Sequence, residues 1–373
     1  MKKNKIFIIG AGITGITLAE RFASKSNEVL IIDKRDHIGG NCYDYKNEDG
    51  ILIHKYGSHI FHTDYKDVWE YLSQFTDWLY YQHKVLGFID GKFVPIPFNL
   101  NTLYNVFPPN LAGKFEEKLI NKFGYNKRVP ILELKKTKDK DLKFLADFVY
   151  EKIFLHYTEK QWGLKPEEID PSVTARVPVV ISRDDRYFQD KYQGMPKEGY
   201  AKMFEKMIKN KNIIIQLNAN FKDIKNKNKY DMIFYTGPID EFFGYKFGRL
   251  DYRCLKLDFK TFKQESYQPV AVVNYPNNYD FTRIIEFKKL TQQNHKKTTI
   301  GIEYPGDKGF MAYPVLDEKN KKLFQKYLKE AEKLKKQNIY FVGRLAEYKY
   351  YNMDEAVKSS LDLFNKINYG RRK

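Results

Sequence analysis

Cysteine is scarce in this chain of 373 residues, which has Cys42 and Cys254 and no Cys-x-x-Cys pair. A disulfide-stapled secreted scaffold is therefore excluded, and two reduced, buried thiols in a cytoplasmic protein are expected. No apolar stretch approaches the roughly 20 residues of a membrane-spanning helix. The chain opens directly into an apolar strand, so we predict neither a signal peptide nor membrane insertion.

Acidic residues are the minority charge, 47 against 65 Lys and Arg, which gives a formal net charge of +18. This balance favours an anionic partner such as nucleic acid, anionic lipid or a phosphorylated substrate. Most lysines are spread over predicted helices, as in 135–143 and 319–336, where solvated faces explain them. We therefore expect no nucleic acid partner.

Histidine is also sparse, with seven residues. His59 and His62 lie three positions apart among aromatic residues, which would suit a metal pair, but no third ligand follows at a suitable spacing. We therefore predict no metal site, and instead a glycine-led loop beside a cofactor. Nothing resembles a Ser-His-Asp set or the paired carboxylates of a glycosidase.

A nucleotide-binding signature occupies the first forty residues. An apolar run at 5–9 leads into Gly10-Ala11-Gly12-Ile13-Thr14-Gly15 and a helical pattern, and a second apolar strand at 29–32 ends in Asp33. The glycines provide a tight turn, close approach of the backbone to a pyrophosphate, and helix–strand packing. Asp33 can accept hydrogen bonds from both ribose hydroxyls of an adenosine. These elements predict a βαβ dinucleotide site.

The residues that follow narrow the choice of dinucleotide cofactor. Lys34 continues the second strand, and the chain then reaches Gly39-Gly40 and Asn41. Many flavoproteins place a glycine doublet at this point, where bare backbone lies against the FAD pyrophosphate. Nicotinamide dehydrogenases need no such extension, so FAD is favoured over NAD.

The periodicity predicts an α/β protein with a discontinuous Rossmann-like FAD-binding domain, an inserted helical domain and an antiparallel β-sheet domain. The FAD-binding domain is assigned to 1–80, 197–245 and 330–373, and the helical domain to 100–165. The sheet domain, which would carry substrate, is assigned to 81–99, 166–196 and 246–329. Weak periodicity and several prolines at 166–196 predict a long mobile loop.

Several stretches together resemble the UDP-galactopyranose mutases of bacteria. They are 33–41, 55–63, 157–163 (YTEKQWG), 235–240, 282–286 and 343–351 (GRLAEYKYY), which occur in order along the whole chain. The resemblance implies an isomerase that interconverts UDP-galactopyranose and UDP-galactofuranose for cell-surface glycans. It further implies a homodimer.

In that family the FAD must be reduced, and the reaction involves no net redox change. The flavin N5 attacks the anomeric carbon of the sugar as UDP leaves, and the ring opens and recloses through O4 instead of O5. This is covalent catalysis by the cofactor, with the protein supplying position and charge.

The resemblance also implies the site residues. Arg176 and Arg283 would clamp the diphosphate from two sides, and Arg253 matches a further active-site arginine. His59 would lie by the flavin and sugar, Tyr157 would stack on uracil, and Trp162 would form a wall of the sugar site. The residues expected to reach the phosphates or line the substrate site are Tyr187, Tyr313, Tyr350 and Asn352. The expected cofactor-binding residues are Gly10, Gly12, Ile13, Thr14, Gly15, Asp33, Lys34, Gly40, Asn41, His59, Ile60, Gly343, Arg344 and Met353.

Two positions depart from the family pattern. Asn352 stands where an aspartate is common, so a hydrogen bond survives there but a charge does not. Val180 stands where a second arginine is common in the 166–196 segment. The grip on the phosphates then rests on Arg176, unless Arg183 or Arg186 swings in.

Three other functions stay open. The same chemistry could act on UDP-N-acetylgalactosamine, which needs room and a polar partner at C2. The N-terminal motifs alone equally support an amine-oxidase-like FAD oxidoreductase, although an oxidase of apolar amines has no need of a diphosphate clamp. A non-catalytic polyanion-binding protein would show strongly salt-dependent binding.

Overall fold

The computed structural model describes residues 3–224 and 229–370. The strands are β1 Lys5–Ile9, β2 Glu28–Ile32, β3 Asp44–Lys46, β4 Leu52–His54, β5 Phe61–Thr63, β6 Trp78–Tyr80, β7 Val85–Ile89, β8 Lys92–Ile96, β9 Arg128–Val129, β10 Val179–Val180, β11 Tyr192–Pro196, β12 Ile213–Gln216, β13 Met232–Tyr235, β14 Tyr252–Phe262, β15 Val272–Asn274, β16 Arg283–Glu286, β17 Thr298–Gly306, β18 Phe310–Pro314 and β19 Ile339–Phe341. The helices are α1 Ile13–Ala23, α2 Lys66–Leu72, α3 Leu100–Val106, α4 Pro109–Phe123, α5 Ile131–Leu134, α6 Lys140–Val149, α7 His156–Trp162, α8 Pro171–Thr174, α9 Tyr200–Met207, α10 Ile239–Phe242, α11 Phe287–Thr291, α12 Glu318–Lys335 and α13 Met353–Gly370. A π-helical segment, Tyr150–Leu155, joins α6 to α7, and 3₁₀ turns span Gly40–Cys42 and Phe221–Asp223.

A parallel sheet with the strand order β12-β2-β1-β13-β19 forms the nucleotide-binding part of the fold. The chain builds outward from β1 in one direction through β2 and β12, and in the other through β13 and β19. Such a reversal of strand order leaves a crevice at the carboxyl ends of the two central strands. Ile9 pairs with Tyr235, so β1 and β13 end level with each other at this crevice.

The side chains of β1 alternate between two apolar layers. Ile8 lies in the layer with α1 and α13, where the rings of Phe22 and Phe364 meet edge to face at 5.0 Å. Phe7 lies on the opposite face with Phe221, at a ring separation of 6.3 Å. Because both faces are covered, the strand must be apolar throughout, as the run at 5–9 predicts.

A second, larger sheet has the order β18-β14-β17-β16-β15-β7-β8. The β7–β8 hairpin turns at Asp90-Gly91 and joins the strands from 252 onward in one sheet. One pair differs from the predicted antiparallel pattern, because β15 runs parallel to β7. The helical region lies between these strands in sequence, and this long connection allows the chain to return in the same direction.

The segment 166–196, predicted as one long loop, contains regular structure. β10 pairs with β9 of the helical region, and β11 is the middle strand of a sheet with the order β5-β11-β6. These pairings tie the segment to 61–80 and 128–129 rather than to the larger sheet. Strands this short carry too few alternating residues to be recognised by periodicity. The domain boundaries and the mobility of the segment stay predictions.

Both cysteines are free and buried, as expected. Over 3–224 and 229–370, no helix is both long and apolar enough to pass through a membrane. The predicted α/β class is confirmed.

Candidate active site

A cavity of about 570 Å³ lies at the carboxyl ends of β1 and β13. Most of the predicted cofactor residues line it, namely Gly10, Gly12, Ile13, Thr14, Asp33, Lys34, Gly40, Asn41, His59, Arg344 and Met353. We name this space the dinucleotide cavity, because its position is the crevice at which open parallel sheets bind nucleotides.

Two of the predicted glycines act from behind the wall of the dinucleotide cavity. A Cβ on Gly15 would lie 1.9 Å from the carbonyl oxygen of Gly10, so only glycine lets α1 pack this closely on the turn. Gly343 has a φ of +96°, and a Cβ there would lie 2.8 Å from Thr14 Oγ1. Ile60 lines a neighbouring cavity instead. These three residues therefore shape the site without facing the main cavity.

The walls of the dinucleotide cavity fit a dinucleotide phosphate. No side chain caps the first N–H groups of α1, and a Cβ on Gly12 would meet nothing nearer than Gly40 Cα at 3.8 Å. Uncapped helix N–H groups beside bare backbone suit a pyrophosphate. Asp33 accepts hydrogen bonds from the N–H groups of Ala11 at 2.7 Å and Arg35 at 2.9 Å. Its carboxylate is thus fixed in the wall, where a ribose would meet it.

A second cavity, of about 160 Å³, adjoins the first and shares His59, Arg344 and Met353 with it. We name it the small cavity. The predicted substrate residues that line it are Arg283, Tyr187, Tyr313, Tyr350 and Asn352. The structure thus brings a cation and three tyrosine hydroxyls to one end of the dinucleotide cavity.

Arg283 is held at the wall of the small cavity by Glu303. Its Nε lies 2.9 Å from Glu303 Oε1, and the two residues face each other across β16 and β17. Glu303 is 2% exposed and also accepts a hydrogen bond from Thr282 Oγ1 at 3.1 Å. Burial alone would lower the pKa of Arg283, but the Glu303 carboxylate and the hydroxyls of three nearby tyrosines together outweigh it, and the pKa is raised well above its ordinary value. Arg283 is therefore permanently charged.

Arg176 lies one residue behind the wall of the small cavity. Its Nη1 donates to the carbonyl oxygen of Tyr350 at 2.9 Å, and its Nη2 donates to Asn352 Oδ1. The guanidinium also stacks 4.2 Å from the centre of the Tyr350 ring. Burial raises the pKa of the Tyr187 hydroxyl, and the charges of Arg283 and Arg176 oppose that rise. Both arginines therefore lie within electrostatic reach of Tyr187.

The aromatic residues form a wall two layers deep. Tyr313 and Tyr350 line the small cavity and meet edge to face at 5.1 Å. Trp162 packs behind them, 5.5 Å from Tyr313 and 5.6 Å from Tyr350, and does not line either cavity. Tyr157 is also outside both linings, and burial raises the pKa of its hydroxyl. Trp162 therefore supports the wall from behind, and Tyr157 lies within electrostatic reach of Arg283.

Arg253, predicted to be catalytic, lies outside both cavities. Its Nε and Nη2 donate to the carbonyl oxygens of Gln161 at 3.0 Å and Lys160 at 3.2 Å. Its Nη1 pairs with Asp307 at 2.8 Å. These contacts satisfy the last carbonyls of α7, so the prediction of a catalytic role is not supported by its position. A sequence match gives the residue type but not the direction of the side chain.

His59 stands where the two cavities meet. Its Nδ1 lies 2.9 Å from the carbonyl oxygen of Gly57. Burial lowers its pKa to about 4, and the charges of Arg344 and Arg283 act in the same direction. The imidazole is therefore neutral near pH 7 and acts through hydrogen bonds rather than charge.

The residues of the small cavity that were not predicted include His83, Asn274 and Glu303. Asn274 faces Arg283 across β15 and β16, and its Oδ1 has no hydrogen-bond partner among the residues that the structure describes. Burial lowers the pKa of His83 to about 3. Pairing β15, β16 and β17 in register would have found Asn274 and Glu303, since both are opposite Arg283.

Known proteins match this chain over most of its length. The sequence pattern of the UDP-galactopyranose mutase family matches residues 152–350, and a pattern for NAD(P)-binding Rossmann-like domains matches 8–75. The chain belongs to the UDP-galactopyranose mutase family.

The UDP-galactopyranose mutase of Mycoplasma genitalium is 38% identical, over 95% of this chain and 93% of that protein. The dTDP-fucopyranose mutase of Escherichia coli is 35% identical, over 96% of this chain and 97% of that protein. A crystal structure of reduced UDP-galactopyranose mutase superposes with a TM-score of 0.73 at 16% identity, over 98% of this chain and 94% of its own. That last likeness shows the fold.

These matches confirm the predicted family, the fold and the mutase class, which is an isomerase class. They favour the mutase over the oxidoreductase alternative. The Rossmann-like match and the position of the cavity support a flavin cofactor.

Proposed function

We propose that this UDP-galactopyranose mutase family member interconverts UDP-galactopyranose and UDP-galactofuranose with reduced FAD, for galactofuranose-containing surface glycans. The observation that carries the proposal is the position of Arg283, a permanent cation that lines the small cavity beside the dinucleotide cavity. A fixed positive charge at this point suits the departure of a diphosphate from an anomeric carbon, and it would disfavour an apolar amine.

The cofactor would lie along the dinucleotide cavity. Its pyrophosphate would accept hydrogen bonds from the first N–H groups of α1, and its adenosine ribose would donate to Asp33. A reduced flavin, when bound, supplies the nucleophile for the anomeric carbon without net redox change. Arg344 and Met353 line both cavities, so they would border the reacting end of the cofactor.

Arg283 would neutralise the negative charge that grows on the diphosphate as UDP departs. Glu303 occupies the Nε side of the guanidinium, which leaves its remaining donors for the phosphates. Burial raises the pKa values of Tyr187 and Tyr313, so both hydroxyls stay protonated and can donate to phosphate oxygens. Tyr350 would complete this set. His59 would act as a neutral hydrogen-bonding group at the sugar.

Arg176 would form the second side of the clamp. In the structure its partners are the Tyr350 carbonyl and the Asn352 side chain, both at the wall of the small cavity. A small rotation toward the cavity would exchange these neutral acceptors for phosphate oxygens. The resemblance assigns the uracil to Tyr157, which lines neither cavity, and Trp162 would keep the tyrosine wall in place from behind.

A second candidate substrate is a dTDP-linked 6-deoxy sugar, because the Escherichia coli relative named dTDP-fucopyranose mutase matches nearly the whole chain. UDP-N-acetylgalactosamine is a third. We also propose a cytoplasmic homodimer, on the resemblance to bacterial mutases.

The test uses purified protein, first checked by absorbance for bound FAD. The protein is incubated with UDP-galactofuranose, with and without dithionite, and products are separated by anion-exchange chromatography. Conversion to UDP-galactopyranose only with dithionite is the expected result. Parallel reactions with the N-acetylated and the dTDP-fucose substrates rank the three candidates. No conversion of any of them by protein that holds reduced FAD would refute the proposal.

A further inference from the structure

Lys160 makes an unusual set of contacts for a lysine of a helix. It lies in α7, within the YTEKQWG stretch, and has no role in the proposed function. Its Nζ donates to the carbonyl oxygens of Tyr275 at 2.6 Å, Tyr279 at 3.1 Å and Phe281 at 3.0 Å. All three acceptors belong to the loop that connects β15 to β16, residues 275–282. All three N–H donors of the ammonium group thus bind carbonyls of one loop.

The surroundings of Lys160 show that this is not a solvated surface contact. Burial lowers the pKa of Lys160 to about 8, and the charge of Asp280 opposes the shift. A partly desolvated ammonium loses water, and the three carbonyls replace it. No carboxylate forms an ion pair with Nζ within the described part of the chain. The contact therefore depends on the backbone conformation of the loop, which places three carbonyl oxygens around Nζ.

The 275–282 loop leads directly to Arg283. Phe281 precedes Arg283 by two positions, and the carbonyl of Thr282 accepts a hydrogen bond from the Tyr275 N–H at 2.9 Å, which closes the loop. The N–H of Thr282 donates to the carbonyl of Glu303 at 2.9 Å, and its hydroxyl donates to Glu303 Oε1. Hydrogen bonds therefore connect the loop to the Arg283–Glu303 pair without a break.

Helix α7 offers a fixed support for these contacts. Its last carbonyls are held by Arg253, which is itself paired with Asp307. Trp162, at the end of the same helix, packs on Tyr313 and Tyr350. At its end, α7 thus packs on the aromatic wall of the small cavity. Through Lys160, the same helix binds the loop that precedes Arg283.

We infer that Lys160 is a positioning residue, which holds the 275–282 loop against α7 and so keeps Arg283 at the wall of the small cavity. Lys160 lines neither cavity and acts only through Arg283. The inference rests on the proposed function, because it gives Arg283 the diphosphate of a nucleotide sugar as its partner.

The test compares Lys160→Met, which removes the donors, with Lys160→Arg, which keeps charge and donors. Lys152→Met is the matched control, since Lys152 lies in the preceding π-helical segment and makes one exposed ion pair, with Asp90 at 2.9 Å. For each FAD-loaded protein we would measure the Kd of UDP by calorimetry and hydrogen exchange of the peptide that spans 275–286.

Lys160→Met should weaken UDP binding about tenfold, while Lys160→Arg should recover most of that loss and Lys152→Met should change nothing. Exchange of the 275–286 peptide should be faster only in Lys160→Met. FAD content should be equal in all variants, since the dinucleotide cavity does not involve Lys160. An unchanged Kd, or an unchanged exchange rate, in Lys160→Met would overturn the inference.

A double-mutant cycle separates positioning from general damage. If Lys160 acts through Arg283, then Lys160→Met should add less than about a twofold loss of UDP affinity to Arg283→Ala. Fully additive losses would overturn the inference.

The two ideas can fail separately. Wild-type protein that binds UDP but converts none of the candidate sugars would refute the proposed function, and the affinity and exchange measurements would still decide the role of Lys160. Wild-type protein that does not bind UDP would overturn both.

Discussion

Replacing Glu303 by glutamine removes one charge from the ion pair that holds Arg283 and keeps the shape of the side chain. Two unit charges about 4 Å apart attract by about 4 kcal/mol at an effective dielectric constant of about 20. The glutamine oxygen can still accept from Thr282 Oγ1, and a partly wet arginine regains some hydration. We therefore expect a net loss of about 2–3 kcal/mol, near the lower end for a broken buried pair.

The loss should appear as a lower melting temperature. With an unfolding entropy of about 2.1 cal/mol/K per residue, Glu303→Gln should lower the Tm by about 3 °C if the holoprotein unfolds in one transition. Glu332→Gln is the control, because Glu332 makes only an exposed pair with Lys335 at 3.5 Å. That change should cost less than about 0.5 kcal/mol.

UDP should rescue Glu303→Gln more than it stabilises the wild type. The variant leaves Arg283 with an unbalanced charge, which a bound diphosphate can neutralise, so saturating UDP should raise its Tm by about 2 °C more than that of the wild type. Differential scanning fluorimetry with and without UDP measures both effects. The reasoning is refuted if the free variant melts like the wild type, or if UDP stabilises the two equally.

Three further predictions concern other parts of the site. Gly15→Ala should lose bound FAD, measured by absorbance, because its Cβ would lie 1.9 Å from a backbone oxygen. Gly113→Ala, whose Cβ would have room, should keep its FAD. Full FAD content in both variants would contradict the packing argument. Burial lowers the pKa of His54 to about 3 from 6.5, so its contribution to stability is present above pH 6.5 and is lost at up to about 1.4 kcal/mol per unit as the pH falls. His54→Gln should therefore flatten the fall of Tm between pH 7 and 5, and an unchanged slope would count against a neutral buried imidazole. Arg253→Met should lower the Tm yet keep kcat within about threefold, because it removes the donors to two α7 carbonyls and leaves the cavities intact. A loss of kcat as large as that of Arg283→Ala would restore the catalytic assignment of Arg253.

The nucleotide-binding half could be predicted because its signals are local. β1 ends where the apolar run ends, α1 begins after Gly12, and β2 differs from its predicted range by one residue. The glycines, the helix and Asp33 lie within one short stretch of sequence, so their spacing in the chain fixes their positions in space. The predicted cofactor residues follow from the same stretch and its extension to Asn41, apart from His59, Ile60 and those of the late return at 343–353.

The small cavity could not be built from local patterns, since its residues are far apart in sequence and several of them meet through strand pairing. Glu303 is opposite Arg283 because β16 pairs with β17, and Asn274 is opposite Arg283 because β15 pairs with β16. Lys160 meets carbonyls that follow it by 115 to 121 positions. The family resemblance supplied Arg283 but neither Glu303 nor Asn274. It could not say that Arg253 turns toward the end of α7.

The departures at positions 180 and 352 act on the phosphate grip in opposite directions. Val180 is buried in β10 and offers no cation, and the two arginines that could replace it are engaged. Arg183 donates to both carboxylate oxygens of Glu116 at 2.8 Å, and Arg186 pairs with Asp184 at 2.6 Å. Neither could reach a bound diphosphate without breaking an ion pair, so Arg176 and Arg283 would carry the proposed clamp.

Asn352 makes Arg176 easier to recruit. In its observed position Arg176 donates to two neutral acceptors, the carbonyl of Tyr350 and the amide oxygen of Asn352. An aspartate at 352, as is common in the family, would hold the guanidinium by a charge-assisted bond that is roughly twice as strong. Moving Arg176 onto a phosphate would then exchange one anionic partner for another and gain little. With asparagine the move would exchange neutral partners for charged ones, so the proposed clamp has fewer cations but the one that would move is held less tightly.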